Sequence, residues 1–229
     1  MTNKILVISA HPDDETYGVG GTIANYAKDG DEVHIMIMTD GVTARHSITE
    51  PQKAAARKAG EILGAKEVHF ANLPDQKLDH LPLMEVIDPI LKLGRQLRPN
   101  IVYTHHRGDA NQDHRHIFEA TMVAVRPFGD NPVEQVYCYE VASSTEWGPP
   151  FNEWAFLPNV YVDIQESMAT KLAAVEAYRE THESEVKPYP HPRSPEAVDV
   201  FAQRHGINVG MTAAEAFMLV RSLVRSKGN

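Results

Sequence analysis

Residues 4–15 read KILVISAHPDDE, a largely apolar run followed directly by a histidine, a proline and three carboxylates. Short apolar runs that are rich in β-branched residues and bounded by polar residues are typical of buried parallel strands. We therefore predict a strand over 4–10 that ends at HPDDE. So much negative charge at the end of a buried strand requires a compensating partner, and the identity of this partner bears on the function.

The alternation of apolar strand and helical segment continues along the chain. This rhythm is typical of a mainly parallel sheet with helices on both faces and right-handed connections. The first half has predicted strands over 4–10, 32–38, 67–75 with its turn, and 100–106, and predicted helices over 21–30, 51–65, 81–99 and 116–128. The second half is less regular, with predicted strands over 133–144 and 159–164, a helix over 166–180, and a loop over 187–198 that runs into a further helix. We predict an α/β fold with a Rossmann-like sheet in a single domain spanning 1–229.

Composition favours a small molecule as the partner. The formal net charge is −9 and no long basic block is present, which argues against nucleic acid or an anionic membrane. No apolar stretch reaches the roughly 18 residues of a membrane span, and Met1 opens onto a strand rather than a cleavable signal. Cys138 is the only cysteine, so the chain has no internal disulfide and no thiolate cluster. We expect a cytoplasmic protein, and homo-oligomerisation stays open.

A second polar window, HHRGDANQDHRH, occupies 105–116 and begins with the last two residues of the fourth predicted strand. Because the carboxyl ends of parallel strands share one edge of the sheet, we expect this window and HPDDE to lie close together there. A divalent ion is the simplest way to hold such imidazoles and carboxylates together. Nitrogen and oxygen ligands suit Zn²⁺, with Fe²⁺, Mn²⁺ or Co²⁺ as alternatives.

With AHPDDE after the first strand and a DHR segment in the second window, the chain resembles the PIG-L or LmbE-like family of zinc-dependent deacetylases. Members of that family remove the acetyl group from N-acetylglucosaminyl compounds. The resemblance covers much of the chain and implies a Rossmann-like fold. It also implies that His11, Asp14 and His114 bind zinc and that Asp13 is the general base.

Asn111 departs from the family pattern, in which a histidine commonly stands at this position as oxyanion donor or general acid. An asparagine amide can donate a hydrogen bond to an oxyanion, and so contact the substrate, but it cannot deliver a proton. We expect either that one of the preceding histidines reaches the site, with His106 as the catalytic group and His105 as a substrate contact, or that Asp13, once protonated, passes its proton to the leaving amine. A third interpretation is that Asn111 marks a subfamily with a different substrate.

Several further residues have two interpretations. The resemblance implies that Arg57 and Asp75 contact the sugar, whereas without it Arg57 is an ordinary solvated helix residue and Asp75 a turn residue. Asp109 is expected to form a turn rather than to orient a ligand histidine. Asp40 and Arg45 follow the second strand and are equally suited to substrate contact and to turn formation.

We predict a metal-dependent N-deacetylase that removes the acetyl group from an N-acetylglucosamine-type amino sugar, or its conjugate, by metal-activated water. The alternatives are an amidase or deformylase acting on another N-acyl substrate and a non-catalytic metal- or sugar-binding protein. Asp13 argues against pure binding, because a binding site does not require a base beside its metal. A metal phosphoesterase would usually need two metal ions and more ligands.

Overall fold

The computed structural model describes residues 2–41, 49–129, 131–181 and 184–224, which form an α/β fold around a seven-stranded sheet. The strands are β1 (Lys4–Ser9), β2 (Glu32–Thr39), β3 (Glu67–Leu73), β4 (Ile101–His105), β5 (Gln135–Tyr139), β6 (Val160–Asp163) and β7 (Ala214–Ser222). Their order across the sheet is β3-β2-β1-β4-β5-β7-β6. Strands β1 to β5 are parallel, and β7 runs antiparallel to both of its neighbours. The predicted single-domain fold with a mainly parallel sheet is confirmed.

Helices cover both faces of the sheet, which explains why β1 and β2 are almost continuously apolar. They are α1 (Asp14–Lys28), α2 (Glu50–Leu63), α3 (Leu83–Leu97), α4 (Gln112–Ala124), α5 (Met168–Glu176) and α6 (Pro195–Ile207). Residues of α1, α2, α5 and α6 share the hydrophobic core of one face, and residues of α3 and α4 share that of the other. In the described ranges, no helix combines the length and the apolar character of a membrane span.

Helix α1 begins at Asp14, inside HPDDE, although the sequence predicts a helix only from residue 21. The glycines of the GVGG segment lie within this helix. At Gly18 and Gly21 the helix backbone packs so closely against neighbouring residues that a larger side chain would not fit without movement. A Cβ atom at Gly18 would lie 2.3 Å from Tyr139 Cδ2, and one at Gly21 would lie 2.7 Å from Ile164 Cγ2. The early start places the Asp14 carboxylate in the first turn of α1, where the helix dipole favours negative charge.

A buried ion pair ties the C-terminal half of the chain to α1. Lys171 Nζ lies 2.6 Å from Glu215 Oε1 and donates a hydrogen bond to the Tyr17 carbonyl oxygen at 2.8 Å. The Glu215 carboxylate accepts hydrogen bonds from the backbone N–H groups of Gly21 and Thr22, at 2.9 and 2.8 Å. Helices α1 and α5 and strand β7 are therefore joined by one charged contact.

Candidate active site

Three side chains from HPDDE and the second histidine window meet at the carboxyl-terminal edge of the sheet. His11 follows β1, Asp14 opens α1, and His114 lies in the first turn of α4. Asp14 Oδ2 lies 3.3 Å from His11 Nδ1 and 3.3 Å from His114 Nε2, and these two nitrogens are 3.2 Å apart. The residues come together because β1 and β4 are neighbours in the sheet.

Both histidines of this cluster have a carboxylate against the other ring nitrogen. His11 Nε2 lies 3.3 Å from Asp75 Oδ1 and 3.3 Å from Asp113 Oδ2. His114 Nδ1 lies 3.1 Å from Asp109 Oδ2. Carboxylates in this position fix the tautomer and the orientation of metal-binding histidines. The cluster therefore has the outer carboxylates that a metal centre built on histidine requires.

Asp109 links His114 to the turn before α4. Its Oδ1 accepts a hydrogen bond from the backbone N–H of Asn111 at 2.7 Å and another from the Ser144 hydroxyl, and its Oδ2 accepts one from Thr145 Oγ1 at 2.6 Å. Burial acts to raise the pKa of Asp109, but His114 and the two hydroxyls hold it well below its usual range. Asp109 thus forms the turn and also faces a candidate metal ligand.

The charges around the cluster favour a bound cation. Burial acts to lower the pKa of His114, yet the Asp14 and Asp109 carboxylates raise it to about 9. The pKa of His11 is also raised, against the effect of burial, by Asp113 and Asp14. Burial acts to raise the pKa of Asp14, but His114 and His11 hold it well below its usual range. Positive charge is therefore stabilised here, whether carried by protons or by a metal ion.

The residues present fit a divalent metal ion. His11, Asp14 and His114 each offer a ligand atom, and these atoms lie within 4.8 Å of one another. The buried Asp14 Oδ1 has no hydrogen-bond partner within the described part of the chain. Ligand atoms of His11, Asp75 and Asp113 also lie within 4.8 Å of one another. Both oxygens of Asp113, however, already accept backbone hydrogen bonds, which makes this group less suited to a metal ion. Three nitrogen and oxygen ligands suit a catalytic ion with an open position.

Asp13 lies beside the cluster in a strained conformation. Its φ of 119° is rare for a residue other than glycine, and such strain costs about 1–3 kcal/mol. Its Oδ2 accepts a hydrogen bond of 2.9 Å from Arg193, which also lies 2.6 Å from Glu185 Oε2 and donates to Ser143 Oγ at 2.7 Å. Burial raises the pKa of Asp13, and Arg193 only partly opposes this effect.

Asp13 and one candidate metal ligand, His11, border one cavity of about 230 Å³. Its lining is predominantly polar: His11, Pro12, Asp13, Gly41, Asp75, Gln76, Asn111, Glu185 and Arg193. This volume is below the roughly 300–1,000 Å³ of pockets for drug-sized ligands. The cavity therefore suits a small polar group.

The two predicted histidines at the end of β4, His105 and His106, do not border this cavity. His105 is fully buried, its Nε2 accepts a hydrogen bond from the Ala10 backbone N–H at 2.7 Å, and its ring stacks on His114 with centroids 3.9 Å apart. His106 Nε2 lies 2.8 Å from the Trp154 carbonyl oxygen, to which it donates. The geometry thus gives no support to substrate contact by His105 or to proton donation by His106.

The remaining predicted residues lie at different distances from the cavity. Asn111 borders it and caps α4, with its side chain accepting a hydrogen bond of 2.9 Å from the Asp113 backbone N–H. Arg57 lies within α2, where its guanidinium is 5.0 Å from the centre of the Phe70 ring, and it is not among the lining residues. Arg45 lies outside the described residues. The substrate roles of these residues stay predictions.

Arg193 and Glu185 border the cavity and were not identified from the sequence. The hydrogen bond between Arg193 and Asp13 joins positions 180 residues apart. Arg193 belongs to a proline-rich loop, and no local pattern distinguishes it from a solvated arginine. Asp113 did have a local signal, because it immediately precedes His114 at the start of α4.

Comparison with known proteins adds to this geometry. The PIG-L family model, described as GlcNAc-PI de-N-acetylase, matches residues 6–125. The uncharacterized deacetylase YaiS of Escherichia coli K12 is 31% identical over 182 residues, which cover 76% of this chain and 90% of that protein. Diacetylchitobiose deacetylase of Thermococcus kodakarensis is 30% identical over 196 residues, which cover 80% of this chain and 70% of that protein.

The same fold occurs in a solved structure with a different reaction. GalB, the 4-carboxy-2-hydroxymuconate hydratase of Pseudomonas putida KT2440, matches over 100% of both chains with a TM-score of 0.74 and 23% identity. At this level of identity the likeness shows the fold alone. The reaction must therefore be inferred from the site and from the relatives of higher identity.

Proposed function

The chain belongs to the PIG-L family, and from this premise we propose that it is a metal-dependent N-deacetylase. Its substrate is an N-acetylglucosamine-type amino sugar or a conjugate of one, and its products are acetate and the free amine. One observation carries the proposal: the ligand atoms of His11, Asp14 and His114 lie within 4.8 Å of one another, and the non-ligand residue Asp13 borders the same cavity as His11.

His11, Asp14 and His114 are the residues that would hold the ion. When bound, Zn²⁺ or a related divalent ion supplies Lewis-acid activation of water and of the acetamide carbonyl. The Asp109 carboxylate contacts His114 Nδ1, and the Asp113 carboxylate contacts His11 Nε2. These contacts hold the two imidazoles in fixed orientations.

Asp13 is the general base in this proposal. Burial raises the pKa of its carboxylate, and a base with a pKa closer to neutrality accepts a proton more readily at the working pH. The Arg193 guanidinium, 2.9 Å away, favours the ionised form and fixes the position of the accepting oxygen. Asp13 therefore takes the proton of the attacking water while it stays outside the ligand set.

Asp13 also delivers this proton to the leaving nitrogen, because an amine is a poor leaving group unless it is protonated. Asn111 borders the cavity but carries no proton that it can give up. His106 is hydrogen-bonded to a backbone carbonyl, and His105 is buried behind His114. One carboxylate acting first as base and then as acid accounts for the reaction with the residues that border the cavity.

The polar lining supports a hydroxyl-rich substrate. Asp75 borders the cavity and also lies 3.3 Å from His11, so a sugar contact and the orientation of His11 are both compatible with its position. Asn111 also borders the cavity, and in this proposal its amide N–H donates a hydrogen bond to the substrate carbonyl oxygen. A sugar contact for Arg57 rests on the family pattern alone.

Acetate release from a panel of substrates tests the proposal. The panel contains N-acetylglucosamine, diacetylchitobiose and larger N-acetylglucosaminyl conjugates, with N-formyl sugars and simple acetamides to detect a deformylase or a general amidase. We expect chelator-stripped protein to release no acetate and the addition of a divalent ion to restore release. Release that persists without metal, or that occurs only from simple acetamides, contradicts the proposal.

A further inference from the structure

A second group of side chains that could bind a metal ion lies near the amino-terminal ends of β2 and β3, away from the candidate active site. His34 on β2 and Glu67 and His69 on β3 each offer a ligand atom, and these atoms lie within 4.8 Å of one another. The parallel register places His34 beside Glu67 and Met36 beside His69, so strand periodicity puts all three ligands on one face. At about 3.3 Å per residue, His34 is roughly 17 Å from the carboxyl-terminal end of β2.

The two imidazoles of this group are already placed as a pair of ligands. His34 Nδ1 lies 3.0 Å from His69 Nε2, and the rings are stacked with centroids 5.2 Å apart. Two nitrogens bound to one tetrahedral ion at 2.0–2.1 Å are about 3.3 Å apart. A movement of a few tenths of an ångström by His69, the more exposed ring, would make room for the ion.

Glu32 fixes the tautomer of His34. Its Oε1 lies 3.0 Å from His34 Nε2, so this nitrogen donates and Nδ1 keeps the lone pair that faces His69. Glu32 is itself held by Lys66 at 2.6 Å and by Lys4 at 3.1 Å. A carboxylate behind a ligand histidine is the usual outer partner in metal sites.

Glu67 supplies the third ligand from the solvent side. Its Oε2 lies 3.7 Å from His69 Nε2, and its side chain is 62% exposed, whereas His34 is buried. An ion held by these groups would therefore keep water at its remaining positions. Two imidazoles and one carboxylate suit Zn²⁺ and its neighbours in the transition series, and they do not suit Mg²⁺ or Ca²⁺, which prefer oxygen ligands.

We propose that His34, Glu67 and His69 form a second, structural site for a divalent transition-metal ion, distinct from the candidate active site. The ion joins β2 to β3, which is the terminal strand at this side of the sheet. Such a clamp stabilises the pairing of an edge strand. The chain leaving β3 continues to Asp75 beside His11, so the clamp also anchors a segment that reaches the candidate active site.

Zinc stoichiometry tests the second site without reference to activity. Chelator-stripped protein is equilibrated with Zn²⁺ at a fixed free concentration, and bound zinc is counted by mass spectrometry. We expect two zinc ions in the wild type and one in His69→Gln. If wild type and His69→Gln bind the same number, the two histidines are only a hydrogen-bonded pair and the proposal is wrong. The separate variant His114→Gln reports on the candidate active site, so failure at either site is distinguishable.

Two further variants sharpen the test. His80→Gln is the matched control, because His80 is an exposed imidazole 3.7 Å from the Asp79 carboxylate and outside both groups, and it should keep both zinc ions. Glu32→Ala leaves all three ligands in place and removes the acceptor of the His34 Nε2–H hydrogen bond, so it should weaken the second zinc by about 10- to 100-fold. Unchanged affinity in Glu32→Ala would contradict the proposed role of the His34 tautomer. Circular dichroism checks that each variant is folded.

Discussion

Asp13 is the residue on which the proposed chemistry depends most. It is buried, it has a φ of 119°, and its backbone N–H donates a 3.2 Å hydrogen bond to Glu15 Oε2. A strained residue persists only where its surroundings determine its conformation, and such residues concentrate at active sites. Here Glu15 holds the backbone and Arg193 holds the carboxylate of Asp13, so the proposed base has a fixed orientation in the absence of substrate.

Replacing Arg193 should move the pH dependence of the reaction. Burial raises the pKa of Asp13, and Arg193 opposes that rise, so Arg193→Ala should raise the pKa further. A base is lost as the pH falls through its pKa, and the acid limb of the kcat/KM profile should therefore move to higher pH. Arg193→Lys keeps the charge and should return the limb toward that of the wild type. Identical acid limbs in wild type and Arg193→Ala would contradict this contact.

Replacing His106 tests which group protonates the leaving amine. His106→Gln keeps a donor for the Trp154 carbonyl oxygen but removes any acid function. Groups that act in general acid–base catalysis contribute about 10²- to 10⁴-fold to the rate. His106 is not such a group in our proposal, so we expect the variant to lose less than about tenfold in kcat/KM. Steady-state kinetics on the best substrate of the panel measure it. A loss of 100-fold or more, with the metal content unchanged, would make His106 the acid.

At the scale of single elements, burial explains which predictions succeed. Strands β1 and β2 are buried on both faces, and this produces the apolar runs by which the sequence predicts them. Helix α1 is different, because its first turns are rich in glycine, which disfavours helix in an isolated segment. Gly18 and Gly21 in these turns pack tightly on Tyr139 and Ile164, and local sequence does not reveal these contacts.

Two glycine substitutions separate packing from helix propensity. In α1, a Cβ atom at Gly18 would lie 2.3 Å from Tyr139 Cδ2 and 2.8 Å from the Glu140 carbonyl oxygen, so Gly18→Ala should destabilise the fold by about 1–3 kcal/mol. In α3, a Cβ atom at Gly94 would meet no atom of the described residues within 4 Å beyond the adjacent backbone of its own helix, so Gly94→Ala should stabilise by about 0.5–1 kcal/mol. Urea denaturation gives both values, and equal effects of the two substitutions would refute the packing account.

On the scale of the whole molecule, the candidate site is assembled from loops far apart in the sequence. HPDDE and the Asp-His pair are local patterns that carry the family resemblance, and this resemblance already implies His11, Asp14 and His114 as a ligand group. The order of strands in the sheet brings the turn after β3 and the start of α4 to one edge. This explains why the carboxylates of Asp75 and Asp113 both lie beside His11. The position of Arg193 beside Asp13 depends on how the C-terminal half of the chain packs against the sheet. No local sequence pattern specifies that packing.

The buried pair of Lys171 and Glu215 should couple the two halves of the chain. Lys171→Met leaves the Glu215 carboxylate buried without its cation, and we expect a cost of about 3–5 kcal/mol. In the double variant Lys171→Met/Glu215→Gln no unpaired charge remains, so the loss should be smaller than the sum of the two single losses, by roughly 0.5–3 kcal/mol. Chemical denaturation of all four proteins measures this coupling. Additive losses would show that the two side chains stabilise the fold independently.

The most direct test of the central claim is primary-amine release from N-acetylglucosamine-type substrates by wild type and Asp13→Asn at equal metal content. Asparagine has nearly the same shape as aspartate but can neither accept nor return a proton in this role. We predict stoichiometric release of amine and acetate by the metal-loaded wild type, and a loss of about 10²- to 10⁴-fold in Asp13→Asn with metal binding intact. Comparable release by both proteins, or release by neither from any acetamido sugar, would contradict the assignment of a metal-dependent deacetylase with Asp13 as its base.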